Sequence, residues 1–221
     1  MYFLSIDVAN KSLAISFLQY NKNIEFKKIN IINKLITLQE LIDLNRYLNN
    51  IINYYICEVI DLLPNKKVKN SNIIERSNAL KQYISNLKYR LDNLINKYNI
   101  SKILLLIENQ PSFNDKSRTT FNQIIYAFSK NNLYDIKVMN PMYKNMVYFK
   151  KDLHHSNFIK KYANNYLANK NHTKANFLYF LEKYNMKDKI HTIKKKNYDD
   201  IADSFMQIFA YIQILHKKEI I

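Results

Sequence analysis

Residues 102–108 read Lys-Ile-Leu-Leu-Leu-Ile-Glu, five consecutive large aliphatics closed by a carboxylate. A run with no polar alternation reads as a strand buried on both faces, in the middle of a sheet that helices cover on either side. Pro111 ends it. Toward the C-terminus a helix is predicted over about 117–130, with Phe121, Ile124, Ile125 and Phe128 on its apolar face, then a short strand at 136–139 closed by Asn140-Pro141. Apolar residues at helical spacing predict helices over 157–168 and 173–184. A last helix over about 199–217 has Ile201, Phe205, Ile208, Ile212 and Leu215 on its inner face. Toward the N-terminus, residues 2–8 and 13–19 read as strands joined by a hairpin turn at Asn10-Lys11, and 24–32 as a third strand. Thr37 is a good N-cap, and Leu41, Leu48, Ile52, Ile56 and Val59 keep helical spacing as far as Leu63. Pro64 opens a polar, lysine-rich connection to Asn72, and a second long helix follows over 75–98. Strands first, then helices alternating with strands, describe one α/β domain with a mixed sheet and a helical insertion at about 37–72.

The chain has 221 residues and no glycine, where ordinary usage gives about 15. P-loops and G-x-G-x-x-G dinucleotide sites are therefore excluded, because both use glycine to bring backbone amides against phosphate, and no nucleotide cofactor is expected. G-x-S-x-G hydrolase elbows and glycine-loop kinases go with them. Asn, Ile and Lys number 32, 31 and 30 and make up 42% of the chain. Their codons are A/T-rich and those of glycine are not, so the bias belongs to composition rather than to the fold. The single cysteine, Cys57, leaves no internal disulfide to form and suits a reducing, cytoplasmic setting. No basic leader precedes Tyr2-Phe3-Leu4-Ser5-Ile6, and no apolar run approaches 18 residues, so neither a signal peptide nor a membrane span is expected.

The net charge is +16 and it is concentrated. Residues 137–196 contain 14 lysines against three acids, Asp152, Glu182 and Asp188, together with four of the five histidines. Codon bias inflates lysine, but it inflates Asp and Glu too, and these are scarce here. A surface of this density attracts a polyanion and releases its counterions, which points to nucleic acid.

Against that background the placement of the 18 acids is informative. Asp7 interrupts an apolar strand, Glu108 ends the buried one, and Asp199, Asp200 and Asp203 fall within five residues at the start of the last helix. Each has a plain structural alternative: Asp7 as a turn cap, Glu108 paired with a lysine, Asp199 as an N-cap with the other two favouring the helix dipole. Taken together, a strand-borne Asp, a carboxylate at the end of a central strand and an Asp-x-x-Asp sharing one helix face can converge on a point. Carboxylates that close do not all stay ionised without a cation. Hard oxygen donors suit Mg²⁺, with Mn²⁺ as a substitute. Such a centre beside a basic surface is suited to in-line displacement at a phosphodiester.

Three segments carry a family resemblance. Ser5-Ile-Asp-Val-Ala-Asn-Lys-Ser-Leu-Ala14 resembles the first-strand motif of the RuvC-like Holliday-junction resolvases, which have an RNase H fold. Ile107-Glu-Asn-Gln-Pro111 is similar to the second motif of the poxvirus members and their mitochondrial relatives, and Tyr198-Asp-Asp-Ile-Ala-Asp-Ser-Phe205 to their last. The three occur in order across almost the whole chain. The resemblance implies an RNase H-like mixed sheet flanked by helices. It also implies a homodimeric, Mg²⁺-dependent endonuclease that cuts branched double-stranded DNA, the four-way junction, symmetrically during viral recombination or concatemer resolution in host cytoplasm. It carries catalytic and metal-binding roles onto Asp7, Glu108, Asp200 and Asp203, with Asp199 as a further metal ligand. Ala9 stands where the poxvirus pattern usually has glycine.

Lys11, Lys170, Lys174, Lys194, Lys195 and Lys196 are the candidate DNA contacts, all to backbone phosphate. Tyr143, Tyr148 and Phe149 interleave with Lys144, Lys150 and Lys151 and suit either base stacking or the core. His154-His155 has no cysteine or carboxylate cluster nearby in sequence and is not read as a metal site. A surplus apolar face on the 117–130 helix is a candidate dimer seam. Two other readings stay open, another RNase H-fold nuclease of RNase H or transposase type, and a non-catalytic basic nucleic-acid-binding protein.

Overall fold

The structure is a computed structural model and describes residues 1–9, 12–20, 52–63, 72–110, 115–183, 186–191 and 193–219. Five strands, β1 (Tyr2–Val8), β2 (Ser12–Tyr20), β3 (Ile52–Asp61), β4 (Ile103–Glu108) and β5 (Tyr134–Met139), form one sheet in the order β3-β2-β1-β4-β5. The β1–β2 and β2–β3 pairs are antiparallel, while β1–β4 and β4–β5 are parallel. Among the described residues five α-helices accompany them: α1 (Ile73–Tyr98), α2 (Asp115–Ser129), α3 (His155–Lys161), α4 (Asn165–Lys183) and α5 (Tyr198–Glu219).

Strand alternation divides the core in two. Leu4, Ile6 and Val8 of β1 with Ile103, Leu105 and Ile107 of β4 pack against Leu80, Leu87 and Leu91 of α1 and Ile124 and Phe128 of α2. On the other face, Phe3 of β1 with Leu104 and Leu106 of β4 meets Phe177 and Phe180 of α4 and Ile201, Phe205 and Phe209 of α5. β4 is therefore buried on both sides, as its unbroken aliphatic run predicts. Of the apolar face expected on the 117–130 helix, Ile124 and Phe128 are buried under the sheet, while Phe121 and Ile125 are half-buried beside them.

Caps are supplied without glycine. Asn72 accepts from the Glu75 amide at 2.8 Å at the start of α1, and Asn99 takes the left-handed conformation, φ 49°, at its end. Asparagine is the side chain that tolerates that region best after glycine.

Two expectations are corrected. The helix read over 37–63 is a strand across Ile52–Asp61, paired with β2 from Tyr20↔Ile52 to Ser12↔Asp61. The stretch Ile-Asn-Tyr-Tyr-Ile-Cys-Glu-Val-Ile is rich in β-branched and aromatic residues. Its two sides serve different cores, Ile56 on one and Cys57 and Val59 on the other, which is strand periodicity. Residues 24–32, the rest of the 37–72 insertion and the Asn10-Lys11 turn lie outside the described residues. The helix read over 157–168 is interrupted: α3 ends at Lys161 and α4 begins at Asn165, with the Asn164 side chain accepting from the Tyr166 amide at 2.8 Å. α4 then runs through the segment read as a separate helix from Thr173.

Leu105 is fully buried at the centre of β4. Leu105→Ala is expected to lower the unfolding free energy by about 3 kcal/mol, the usual cost of a core cavity of this size. Urea titration followed by circular dichroism measures it, and a loss below about 1 kcal/mol would contradict the central position of this strand.

Candidate functional site

The two-residue period of a strand puts Phe3, Ser5 and Asp7 on the α5 side of β1. Ser5 Oγ donates to Gln207 Oε1 at 2.6 Å, and Ser16 Oγ of β2 lies 2.7 Å from Ser204 Oγ. Ser12 Oγ, at the start of β2, donates to Asp200 Oδ2 at 3.0 Å. Asp200, Asp203, Ser204 and Gln207 thus form one stripe of α5 at spacings of three and four residues, lying across β1 and β2 as a polar seam in an otherwise apolar interface. The seam fixes the rotation of α5 and delivers its first turn to the end of β1. The register Ile6↔Ile107 brings Asp7 level with Glu108 at the carboxyl edge of two adjacent parallel strands.

A lysine joins these acids. β5 ends at Met139, Asn140 caps a 3-10 turn over Pro141–Met146, and that turn carries Lys144 back over the strand ends. Lys144 Nζ lies 2.6 Å from Glu108 Oε2 and 3.1 Å from Asp203 Oδ2. From α4, Lys170 Nζ reaches the same Asp203 Oδ2 at 3.0 Å and Asp200 Oδ1 at 3.7 Å. Asp7 and Asp203 are buried, 8% and 7% exposed. Burial pushes the Asp7 carboxyl up to about 8; Lys144 opposes the shift, Glu108 and Asp203 add to it, and Lys170 opposes it. Both ammonium groups are held above the ordinary lysine value by the carboxylates around them, against their own desolvation.

The turn after Asp7 is fixed from the opposite face. Arg76 of α1, 2% exposed, donates through Nη2 to the Ala9 carbonyl at 2.7 Å and through Nε to Thr120 Oγ1 of α2 at 2.8 Å. Ala9 in turn donates its amide to the Ser12 carbonyl at 3.0 Å. Alanine stands here in the position where the resembling motif has glycine.

The site residues expected from sequence fall into three groups. Asp7, Glu108, Asp200 and Asp203 come together. Asp199 lies within the first turn of α5 rather than at its cap and pairs with Lys174 at 2.9 Å. Lys170 and Lys174, read as phosphate contacts, are here partners of Asp203 and Asp199. Lys194, Lys195 and Lys196 are exposed on the approach to α5, and Lys11 lies outside the described residues. Lys144 was not legible as a member of the cluster. The one signal available was its place just after the Asn140-Pro141 break, which puts it at the same sheet edge as Glu108.

As a set, four carboxylates face two ammonium groups, so the cluster keeps a surplus of negative charge. Its donors are all hard oxygens, the kind Mg²⁺ or Mn²⁺ prefers. In the present arrangement the ammonium groups stand among them, and no three Asp, Glu, His or Cys side chains of the described residues surround one point.

His154 and His155 are occupied away from the acid cluster. His154 caps α3, accepting from the Ser156 amide at 3.2 Å, and His155 Nε2 lies 2.7 Å from Asn169 Oδ1. His172 is fully buried, its ring edge-on to His155 and Phe158. Phe149 belongs to the core, and Tyr148 packs against His154.

No protein-family model matches the chain, and neither does any curated protein. Solved structures do. The fowlpox virus resolvase, crystallised with its substrate Holliday junction DNA, aligns over 97% of this chain and 99% of that one, with 18% identity and a TM-score of 0.53. The chain shares the fold of that protein. RuvC of T. thermophilus in complex with a Holliday junction substrate aligns over 97% of this chain and 96% of that one, with 7% identity and a TM-score of 0.44. The mixed sheet in the order β3-β2-β1-β4-β5, with helices on both faces, is an RNase H-like α/β arrangement, and the acid cluster lies where its central strands end.

Two predictions follow from the ionisable groups. Lys144→Met leaves the Glu108 and Asp203 carboxylates without the ammonium between them. It is expected to destabilise the protein by about 3 kcal/mol in EDTA, because one member of a buried pair is lost; a loss under about 1 kcal/mol in urea titration would show that other contacts hold the cluster. Burial, then the neighbouring His155, lower the His172 pKa to about 4. A base lowered on folding binds its proton more readily when unfolded, so its contribution is complete above about pH 6.5 and is lost as pH falls toward about 4. His172→Phe should flatten that acid limb in urea titrations between pH 4 and pH 7, and an unchanged limb would place the titration elsewhere.

Proposed function

We propose that this protein is a structure-selective endonuclease that resolves four-way DNA junctions by hydrolysing phosphodiesters. The observation that carries the reading is the pairing of Lys144 with both Glu108 and Asp203, beside the buried Asp7, at the carboxyl edge of the central strands. The net charge of +16 supports a polyanionic substrate, and the buried acids support a centre for a divalent ion.

Asp7, Glu108, Asp200 and Asp203 are the residues that would hold Mg²⁺, and a bound divalent ion would polarise the phosphoryl oxygens and lower the pKa of water. The protein's own groups do the rest. Lys144 and Lys170 would pass from carboxylate to phosphate oxygens as substrate enters, leaving the carboxylates to a divalent ion that would offset their charge. The Ser5–Gln207 and Ser16–Ser204 bonds hold α5 against β1, so that Asp200 and Asp203 keep their distance from Asp7. Lys194, Lys195 and Lys196 hold the flanking backbone without reading sequence. Symmetric cutting of a junction needs two such centres, so the working form in this reading is a homodimer.

With Mg²⁺, the wild-type chain is expected to nick a mobile four-way junction at symmetric positions. Asp7→Asn and Asp203→Asn should each lower the rate by about two orders of magnitude or more while leaving junction binding nearly unchanged. Denaturing gels of end-labelled junctions measure the rate. Full activity in both variants would sink the assignment, and preferential cutting of an RNA–DNA hybrid would move the reading to an RNase H activity.

A further inference from the structure

Two elements send a lysine to the same oxygen, Asp203 Oδ2: the 3-10 turn over Pro141–Met146 through Lys144, and α4 through Lys170. Each also carries an exposed tyrosine close by. Tyr143 precedes Lys144 directly and is 39% exposed. Tyr166 is 65% exposed and lies four residues before Lys170, on the same face of α4 and about 6 Å along the axis. That face continues to Lys174, paired with Asp199, so it runs along the acid centre. Met142, Met146 and Leu167 add apolar surface beside the two rings, each about half exposed. The rest of the neighbourhood is basic, with Lys160 and Lys161 exposed at the end of α3 and Lys194 to Lys196 ahead of α5.

An exposed tyrosine alone carries no meaning. Two of them, each on an element whose lysine reaches one buried carboxylate and set among exposed lysines, define a particular chemistry. A partner suited to both features carries a negative group and, next to it, flat apolar faces. A nucleotide whose base is unstacked has that shape. Bases inside an intact duplex have both faces covered, whereas bases at a branch point or in a single strand do not.

We propose that Tyr143 and Tyr166 are base-stacking residues. They grip unstacked nucleobases flanking the phosphate engaged at the Asp203 centre, and so favour branched or single-stranded DNA over intact duplex. The inference rests on reading the acid cluster as a phosphodiester-cutting site.

The test uses the full chain in Mg²⁺-free buffer with three labelled probes: a four-way junction carrying 2-aminopurine at the branch, a linear duplex of the same arm sequence, and a single strand. Tyr143→Ala and Tyr166→Ala should each weaken junction and single-strand binding by about 5- to 100-fold, the range for one lost base–aromatic stack. Duplex binding should stay within about twofold, and each Ala variant should alter the 2-aminopurine signal of the bound junction. Tyr166→Phe keeps the ring and should bind like wild type. Equal losses on all three probes, or none on any, would overturn the stacking role. If the wild type prefers the junction while the Ala variants behave like it, the stacking role falls and the resolvase reading stands. If the wild type shows no junction preference but single-strand binding depends on the tyrosines, the resolvase reading falls and stacking stands.

Discussion

The Lys144 ammonium between Glu108 and Asp203 is the interaction on which the rest of the site depends. Glu108 belongs to the strand order of the sheet, and Asp203 to a helix that follows it by nearly a hundred residues of chain. At 2.6 and 3.1 Å, one charged group ties the end of β4 to the start of α5. Two buried carboxylates facing each other without it would repel in a medium that screens them poorly. Most of the folding energy of the α5 interface comes from Phe205, Ile208 and Phe209 farther along, and it has to absorb the cost of bringing the acids together.

The same logic explains the polar seam of α5. An apolar face alone tolerates small rotations of a helix, because dispersion contacts are not directional. Ser5–Gln207, Ser16–Ser204 and Ser12–Asp200 are directional, and they lie on one stripe in line with Asp203. On the far side of the sheet the buried Arg76 does for the turn after Asp7 what the seam does for α5, pinning the Ala9 carbonyl to α1 and α2. The sheet edge is thus clamped from both faces, with the acids between the clamps.

Sequence patterning revealed the parts of this that are local. The unbroken run of β4, the apolar face of α1 and the Asp-x-x-Asp of α5 all declare themselves within a few residues. What it missed depends on distant partners. Ile52, Ile56 and Val59 suit a helix as well as a strand, and only pairing with β2 decides for β3. The break between α3 and α4 rests on a single asparagine cap that nothing in the apolar spacing announces. Lys144 is one of 30 lysines, and what distinguishes it is the sheet edge to which the Asn140-Pro141 turn returns it. Lys170 and Lys174 read as surface charges for the same reason: a helix pattern shows which face they share but not that the face meets acids.

A glycine-free chain has to solve two problems with other residues, tight backbone turns and phosphate contact. At the first, Asn99 adopts the left-handed cap, and the Ala9 carbonyl is held by Arg76. At the second, backbone amides in a glycine loop would hold phosphate with partial charges, whereas Lys144 and Lys170 bring full charges to the carboxylates. Partial charges do not balance a buried acid cluster before substrate arrives, and full ammonium charges do. Four acids gathered at one strand edge therefore call for lysines of this kind whatever the glycine content. The compositional bias removed loops that this type of site has no use for.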